Sequence, residues 1–196
     1  MLNMYNIEAI HPHLLHHFSV KVEKKIVDYC YQAQRDDPVG VGKSNLGGWQ
    51  SKDESFGIVR EFIDNILSRT IDVFTKVPIC GNYWININKP NDLNIVHNHP
   101  NSDISGVVWI KTPKDSGCIY FPHPDYFQKV NEIDHSRPLT KQGYSHMVVP
   151  EKGNVVLFPS CLKHGVSENL SKHERVSIAF NAEFPRPFIP SGTHED

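Results

Sequence analysis

The stretch Ile79-Cys-Gly-Asn-Tyr-Trp-Ile-Asn-Ile-Asn88 decides the fold class. Side chains alternate faces along a strand, so Ile85 and Ile87 share one face while Trp84, Asn86 and Asn88 share the other. Toward the C-terminus the same texture recurs in short segments over 105–111, 117–122, 145–149, 154–158 and 174–182. Pro, Gly, Asn and Asp punctuate them. Toward the N-terminus the period becomes helical. Ser19 is expected to cap a helix running to about Arg35, with Val22, Ile26, Val27, Cys30 and Tyr31 near one face and Asp37-Pro38 ending it. Ser51-Lys-Asp-Glu54 spells a capping box for a second helix carrying Phe56, Val59, Phe62, Ile63, Ile66, Leu67 and Phe74.

Two helices followed by many short strands predict a mainly β (α+β) fold, a sandwich or jelly roll with the N-terminal helices packed on one sheet. The chain reads as a single domain over 1–196, with a helical part over 1–78 and a β core over 79–184. Residues 123–144 lack periodicity, and a loop of that length is usually functional or mobile. The tail from Pro185 reads as irregular. The glycine-rich stretch 40–51 lacks the spacing of a phosphate loop and follows no strand, so that reading is rejected.

Composition excludes several classes. The 196 residues carry a net charge of -2 with no basic stripe, which argues against nucleic-acid binding. No apolar run approaches a bilayer span, and Met1 to Tyr5 lack the pattern of a signal peptide, so a cytoplasmic location with no membrane contact is expected. Cys30, Cys80, Cys118 and Cys161 are widely spaced and read as reduced thiols. His11, His13, His16 and His17 read as a solvated cluster.

The chemistry is carried by His97-Asn98-His99, His164 and Arg175-Val176-Ser177. Imidazoles at i and i+2 of an extended segment point to one face, and a third from a distant segment would complete one side of a metal's shell. His164 follows a strand that ends in the turn Phe158-Pro159-Ser-Cys-Leu-Lys. Asp103, four residues past His99, is the reserve ligand. Arg175, Ser177, Ala179 and Asn181 share one strand face, opposite Val176, Ile178 and Phe180. An inward arginine is costly unless it meets an anion, and with Ser177 it makes a cradle for a carboxylate. A redox-type metal beside an anchored carboxylate suggests a small-molecule oxygenase. Asn86, Asn88 and Asn181 are candidates to line its pocket, and Trp49, Gln50 and the 123–144 loop to contact substrate.

As an ensemble, Ser44-Asn-Leu-Gly-Gly-Trp49-Gln-Ser51, Trp84-Ile-Asn86, His97-Asn-His99-Pro-Asn-Ser102, Ser105-Gly106-Val-Val-Trp109-Ile, Phe158-Pro159-Ser160 with His164, and Arg175-Val-Ser177-Ile-Ala-Phe-Asn181 resemble the 2-oxoglutarate and Fe(II)-dependent oxygenases of bacteria and bacteriophages. The resemblance spans most of the chain. It implies a double-stranded β-helix (jelly-roll) core, with Fe(II), 2-oxoglutarate and O2. It also implies oxidative decarboxylation to succinate and CO2, coupled to hydroxylation of a prime substrate that the sequence does not identify. By position it makes His97 and His164 metal ligands, and Arg175 with Ser177 the 2-oxoglutarate anchor. No catalytic residue beyond the metal ligands is implied. One departure stands out: the wider superfamily has His-x-Asp/Glu where this chain has His97-Asn-His99. His99 is taken as the third ligand, and three neutral ligands would leave the iron more positive.

His97-x-His99-x-x-x-Asp103 and Pro159-Ser-Cys161-Leu-Lys-His164 also resemble the cupins, with Cys161 in place of their glycine and Asp103 in place of their glutamate. That resemblance implies a related metal-binding jelly roll that need not use 2-oxoglutarate. Oligomeric state is not legible, and a homodimer is compatible with the sequence.

Overall fold

The computed structural model describes residues 13–122 and 145–186. In chain order these form β1 (His16–Ser19), α1 (Lys24–Asp36), β2 (Asn45–Leu46), β3 (Trp49–Gln50), α2 (Ile58–Ser68), β4 (Ile79–Asn88), β5 (Leu93–His97), β6 (Ile104–Lys111), β7 (Ile119–Pro122), β8 (Ser145–Val148), β9 (Asn154–Pro159), β10 (His164–Val166) and β11 (Arg175–Glu183). The strands build two antiparallel sheets, ordered β1-β9-β6-β11-β4-β3 and β2-β5-β10-β7-β8. This is the expected mainly β sandwich of the jelly-roll type.

Alternation along the six-stranded sheet sets its two faces. Tyr83, Ile85 and Ile87 on β4 lie opposite Phe180, Ile178 and Val176 on β11, and all six are fully buried. They share one hydrophobic cluster with Ile26 and Cys30 of α1 and Val59, Ile63, Ile66 and Leu67 of α2, so both helices cover that face. The other face carries Val107, Trp109, Val156 and Phe158, which pack with Ile119 and Phe121 of the smaller sheet. Trp84, Asn86 and Ser177 stand on this inner face, between the sheets. A bulge between Asn181 and Ala182 brings Cys80 into the helix-side cluster.

The N-terminal third departs from its helical reading. Ser19 does not cap α1; it ends β1, and its hydroxyl donates to Asn154 Oδ1 at 2.9 Å. α1 starts five residues later, behind Glu23, without a side-chain cap. Ser51 to Glu54 do not form a capping box. The Ser51 Oγ accepts from the Ile85 backbone N–H at 3.0 Å, and Glu54 pairs with Tyr83. The Tyr29 and Tyr83 hydroxyls both donate to the Glu54 carboxylate, at 2.9 and 2.8 Å. The free edge of β4 outcompetes a local cap because it satisfies backbone groups and a carboxylate together. α2 then starts after Gly57, with Phe56 exposed ahead of it and Phe74 beyond its end. His16 and His17 belong to β1, and His16 packs edge-on against Phe74. His11, the 123–144 loop and the tail beyond Arg186 lie outside the described residues.

Candidate metal and carboxylate site

β5 and β10 are neighbours in the smaller sheet, and His97 and His164 are direct register partners across them. His99 follows β5 by two residues. Its backbone N–H donates to the Ser160 carbonyl at 2.8 Å, which draws it against the turn leading into β10. One ligand nitrogen from each of His97, His99 and His164 lies within 4.8 Å of the others, the one such cluster among the described residues. The ring centroids are 4.4 to 5.2 Å apart.

The hydrogen bonds select a tautomer. His97 Nδ1 lies 2.8 Å from the Ile95 carbonyl and His164 Nδ1 2.9 Å from the Leu162 carbonyl. A carbonyl only accepts, so both Nδ1 atoms carry the proton and both Nε2 lone pairs are left for a metal. Burial pushes the His164 imidazole down to about 3 and the His99 imidazole to about 4, and neighbouring imidazoles push the same way. These two rings are therefore neutral at physiological pH, which is the form that ligates.

Asp103 is not brought to this cluster. Its Oδ2 accepts from the Phe184 backbone N–H at 2.9 Å, and its Oδ1 faces Arg186 at 3.5 Å. The carboxylate ties the end of β11 to the start of β6. Trp49 is likewise elsewhere: it is buried in the helix-side cluster, with its indole N–H donating to the Asp37 carbonyl at 2.7 Å.

Arg175, the first residue of β11, is 1% exposed. Its Nη1 donates to the Ser116 carbonyl and to the Ser167 carbonyl, the latter at 3.1 Å. Its Nη2 is buried and, among the described residues, has no partner. Burial lowers the guanidinium to about 10, so it remains charged at neutral pH. A buried, charged donor without an acceptor is costly, and an anion in the adjoining cavity would remove the cost. That inner cavity, about 520 Å3 including its mouth, is lined by the three histidines, Arg175, Ser177 and Asn86, with Trp109 and Phe158 as apolar walls. Asn86 Oδ1 is also buried without a partner among the described residues.

Gly117 makes this arrangement sterically possible. Its φ is +85°, and a Cβ there would sit 2.4 Å from the Ser167 carbonyl oxygen and 2.7 Å from Arg175 Nη1. Gly117→Ala is therefore expected to lower stability by about 1–3 kcal/mol, a fall in Tm of several degrees, and to weaken carboxylate binding. Thermal unfolding and ligand titration check this.

A second, outer cavity of about 700 Å3 including its mouth opens on the other side of His97 and His99. Lys43, Asp53 and Asn82 reach it, none of which the sequence reading singled out. Asn82 was accessible to the alternation rule, since it shares the Trp84 and Asn86 face of β4. Lys43 and Asp53 lie outside the strands and helices, where no period points to them.

Comparison with known proteins agrees with this fold. A family model described as "Putative 2OG-Fe(II) oxygenase" matches residues 82–181, just over half of the chain. No curated protein sequence matches. Among solved structures, the non-heme alpha ketoglutarate dependent carbocyclase SnoK from nogalamycin biosynthesis aligns with a TM-score of 0.62 at 13% identity, over 86% of this chain and 79% of its own. A prolyl-4-hydroxylase from Pseudomonas putida aligns with a TM-score of 0.60 at 14% identity, over 88% and 94%. HygX from Streptomyces hygroscopicus, with nickel and 2-oxoglutarate bound, aligns with a TM-score of 0.57 at 13% identity, over 86% and 82%. At these identities the likeness is one of fold.

Proposed function

The chain belongs to the family of 2-oxoglutarate- and Fe(II)-dependent oxygenases, and from that premise we propose that His97, His99 and His164 hold its iron and that Arg175 and Ser177 anchor its 2-oxoglutarate. The family makes it a dioxygenase that uses Fe(II), 2-oxoglutarate and O2. The observation that carries the residue assignment is the orphaned Arg175 Nη2, buried in the same cavity as three converging imidazoles. A metal-binding jelly roll without a carboxylate co-substrate has no use for that charge.

Bound iron supplies the oxidising chemistry, coupling decarboxylation of 2-oxoglutarate to succinate and CO2 with oxidation of a C–H bond. The chain supplies the positioning. The Ile95 and Leu162 carbonyls orient two of the imidazoles. The Ser116 and Ser167 carbonyls fix one arm of the Arg175 fork, leaving the other arm for the far carboxylate of 2-oxoglutarate. Trp109, Phe158 and Ile119 keep the inner cavity apolar between these polar ends, which strengthens the ion pair and excludes water. We read the prime-substrate oxidation as a hydroxylation. Both sheets draw strands from both halves of the chain, which supports treating the chain as one oxygenase domain. No helix among the described residues is long and apolar enough to cross a membrane.

Anaerobic addition of Fe(II) and then 2-oxoglutarate is expected to give the weak visible charge-transfer band of the chelate. Admission of O2 should then release succinate. Absence of the band at saturating concentrations of both would overturn the assignment.

A further inference from the structure

The outer cavity shares His97, His99, Trp84 and Ser44 with the inner one, so whatever occupies it lies beside the metal ligands on the side away from Arg175. Its wall is polar and its hydrogen bonds run in one direction. The Asn181 amide N–H donates to Asn82 Oδ1 at 3.2 Å, and the Asn82 amide N–H donates to Asp53 Oδ2 at 3.2 Å. Lys43 Nζ donates to Asp53 Oδ1 at 2.7 Å. Behind them Ser105 donates to Asn181 Oδ1 at 2.8 Å, with Ser160 at 2.9 Å from Ser105. The chain of donors ends on Asp53.

Two things about this wall select a ligand. First, it holds one anion and one cation side by side, so the cavity favours no net-charged molecule. Second, both charges keep unused capacity. A carboxylate offers about four lone-pair positions, and two on Asp53 are taken. An ammonium has three donors, and one on Lys43 is taken. Both side chains are partly exposed, and such pairs contribute little, so a ligand opens this one cheaply. The ammonium and carboxylate of an α-amino acid are neighbours in the same way. Resting on the iron and 2-oxoglutarate reading above, we propose that the outer cavity is the prime-substrate site and takes a small zwitterion of the amino-acid class, its ammonium on Asp53 and its carboxylate on Lys43. Trp84 flanks the remainder of the molecule, beside His99 at 5.3 Å between ring centroids.

The test uses the full chain loaded with Zn(II) and 2-oxoglutarate, which is diamagnetic and inert. Binding of the twenty L-amino acids, with their N-acetyl and C-amide derivatives, is followed by saturation-transfer NMR. At least one free amino acid is expected to bind, with both capped derivatives weakened tenfold or more. Asp53→Asn and Lys43→Met should each weaken the free amino acid by a similar factor, while the Fe(II)–2-oxoglutarate band of each variant shows that it is folded. Equal binding of capped and free forms, or no effect of either substitution, would overturn the proposal, as would binding of neutral polyols but no amino acid. If wild-type protein gives no chelate band, the iron reading fails, and this one with it. If the band forms but no amino acid binds, only this one fails.

Discussion

Replacing Arg175 by methionine is expected to weaken 2-oxoglutarate binding by about 30-fold to several thousand-fold, from the roughly 2–5 kcal/mol that truncating one partner of a buried charge pair costs. Met fills much of the same volume, so the inner face of β11 stays packed. Arg175→Lys should fall between, because lysine restores the charge and loses the fork that serves two carbonyls with one arm and a carboxylate with the other. Iron binding should be unchanged in both variants, since no Arg175 atom belongs to the histidine cluster. Titration of the chelate band separates these quantities: iron saturation comes from the first addition and 2-oxoglutarate affinity from the second. Loss of iron together with 2-oxoglutarate, or loss of neither, would count against the anchor. The metal-free Arg175→Met protein has a second expected property. The substitution removes a buried charge with a donor that has no partner among the described residues, but it also strips the Ser116 and Ser167 carbonyls of theirs, so the effects oppose and Tm should shift by no more than a few degrees.

The inward placement of Arg175 was legible because β11 obeys a period of two without interruption from Arg175 to Asn181, and its partner β4 obeys the same rule across the ladder. Register pairs Ser177 with Asn86 and Ala179 with Trp84, so two independent stretches of sequence specify one wall. The convergence of the histidines was legible for a related reason: β5 and β10 are short, and β5 ends at His97 where β10 begins at His164. What failed is also consistent. Ser19 and Ser51 both stand before apolar runs with helical spacing, and local capping rules would place a helix start at each. Instead both hydroxyls are used by distant partners, Asn154 on β9 and the Ile85 N–H on β4. A cap is a local bond, and a sheet edge offering several backbone groups at once outbids it. The same competition explains the short strands β1, β2 and β3, which carry too few residues to show a period. Lys43 and Asp53 were missed because their meeting depends on the Gly47-Gly48 turn between β2 and β3. That turn carries the chain from one sheet to the other, and both glycines have positive φ.

The two-sheet arrangement is the reason the proposed metal and carboxylate sites are expected to be separable by mutation. Arg175 and Ser177 belong to the six-stranded sheet, whose other face is held by the helices. His97 and His164 belong to the smaller sheet. On the proposed assignment 2-oxoglutarate would span the gap between sheets, and its binding would couple the two packing units.

His164→Ala and His99→Asp are expected to act in opposite ways, although both remove an imidazole. Disturbing the groups that merely orient metal-bound histidines costs about 10- to 100-fold in metal affinity. Removing His164 itself, which is 5% exposed and backed by Phe158 at 4.5 Å between ring centroids, should cost at least about 100-fold and leave the protein largely metal-free after dialysis. His99→Asp replaces one neutral donor by a carboxylate and produces the two-histidine, one-carboxylate set that suits non-heme iron, so iron should be retained. Metal content after dialysis reads both, and loss of iron from His99→Asp would argue that this position does not face the metal. The metal-free protein carries a linked pH signature. His99 and His164 titrate at about 4 and about 3 when folded, against an ordinary value of 6.5. The unfolded chain therefore binds more protons than the folded one between these values, and stability rises with pH through that window. Metal-free wild type should lose Tm as pH falls from about 6.5 toward 4. His164→Ala should lose less over the same interval, because one of the two linked groups is gone. Iron reinforces the dependence, since it binds only the neutral imidazoles of the folded state. Equal slopes in wild type and His164→Ala would show that this imidazole is not held neutral by burial between the sheets.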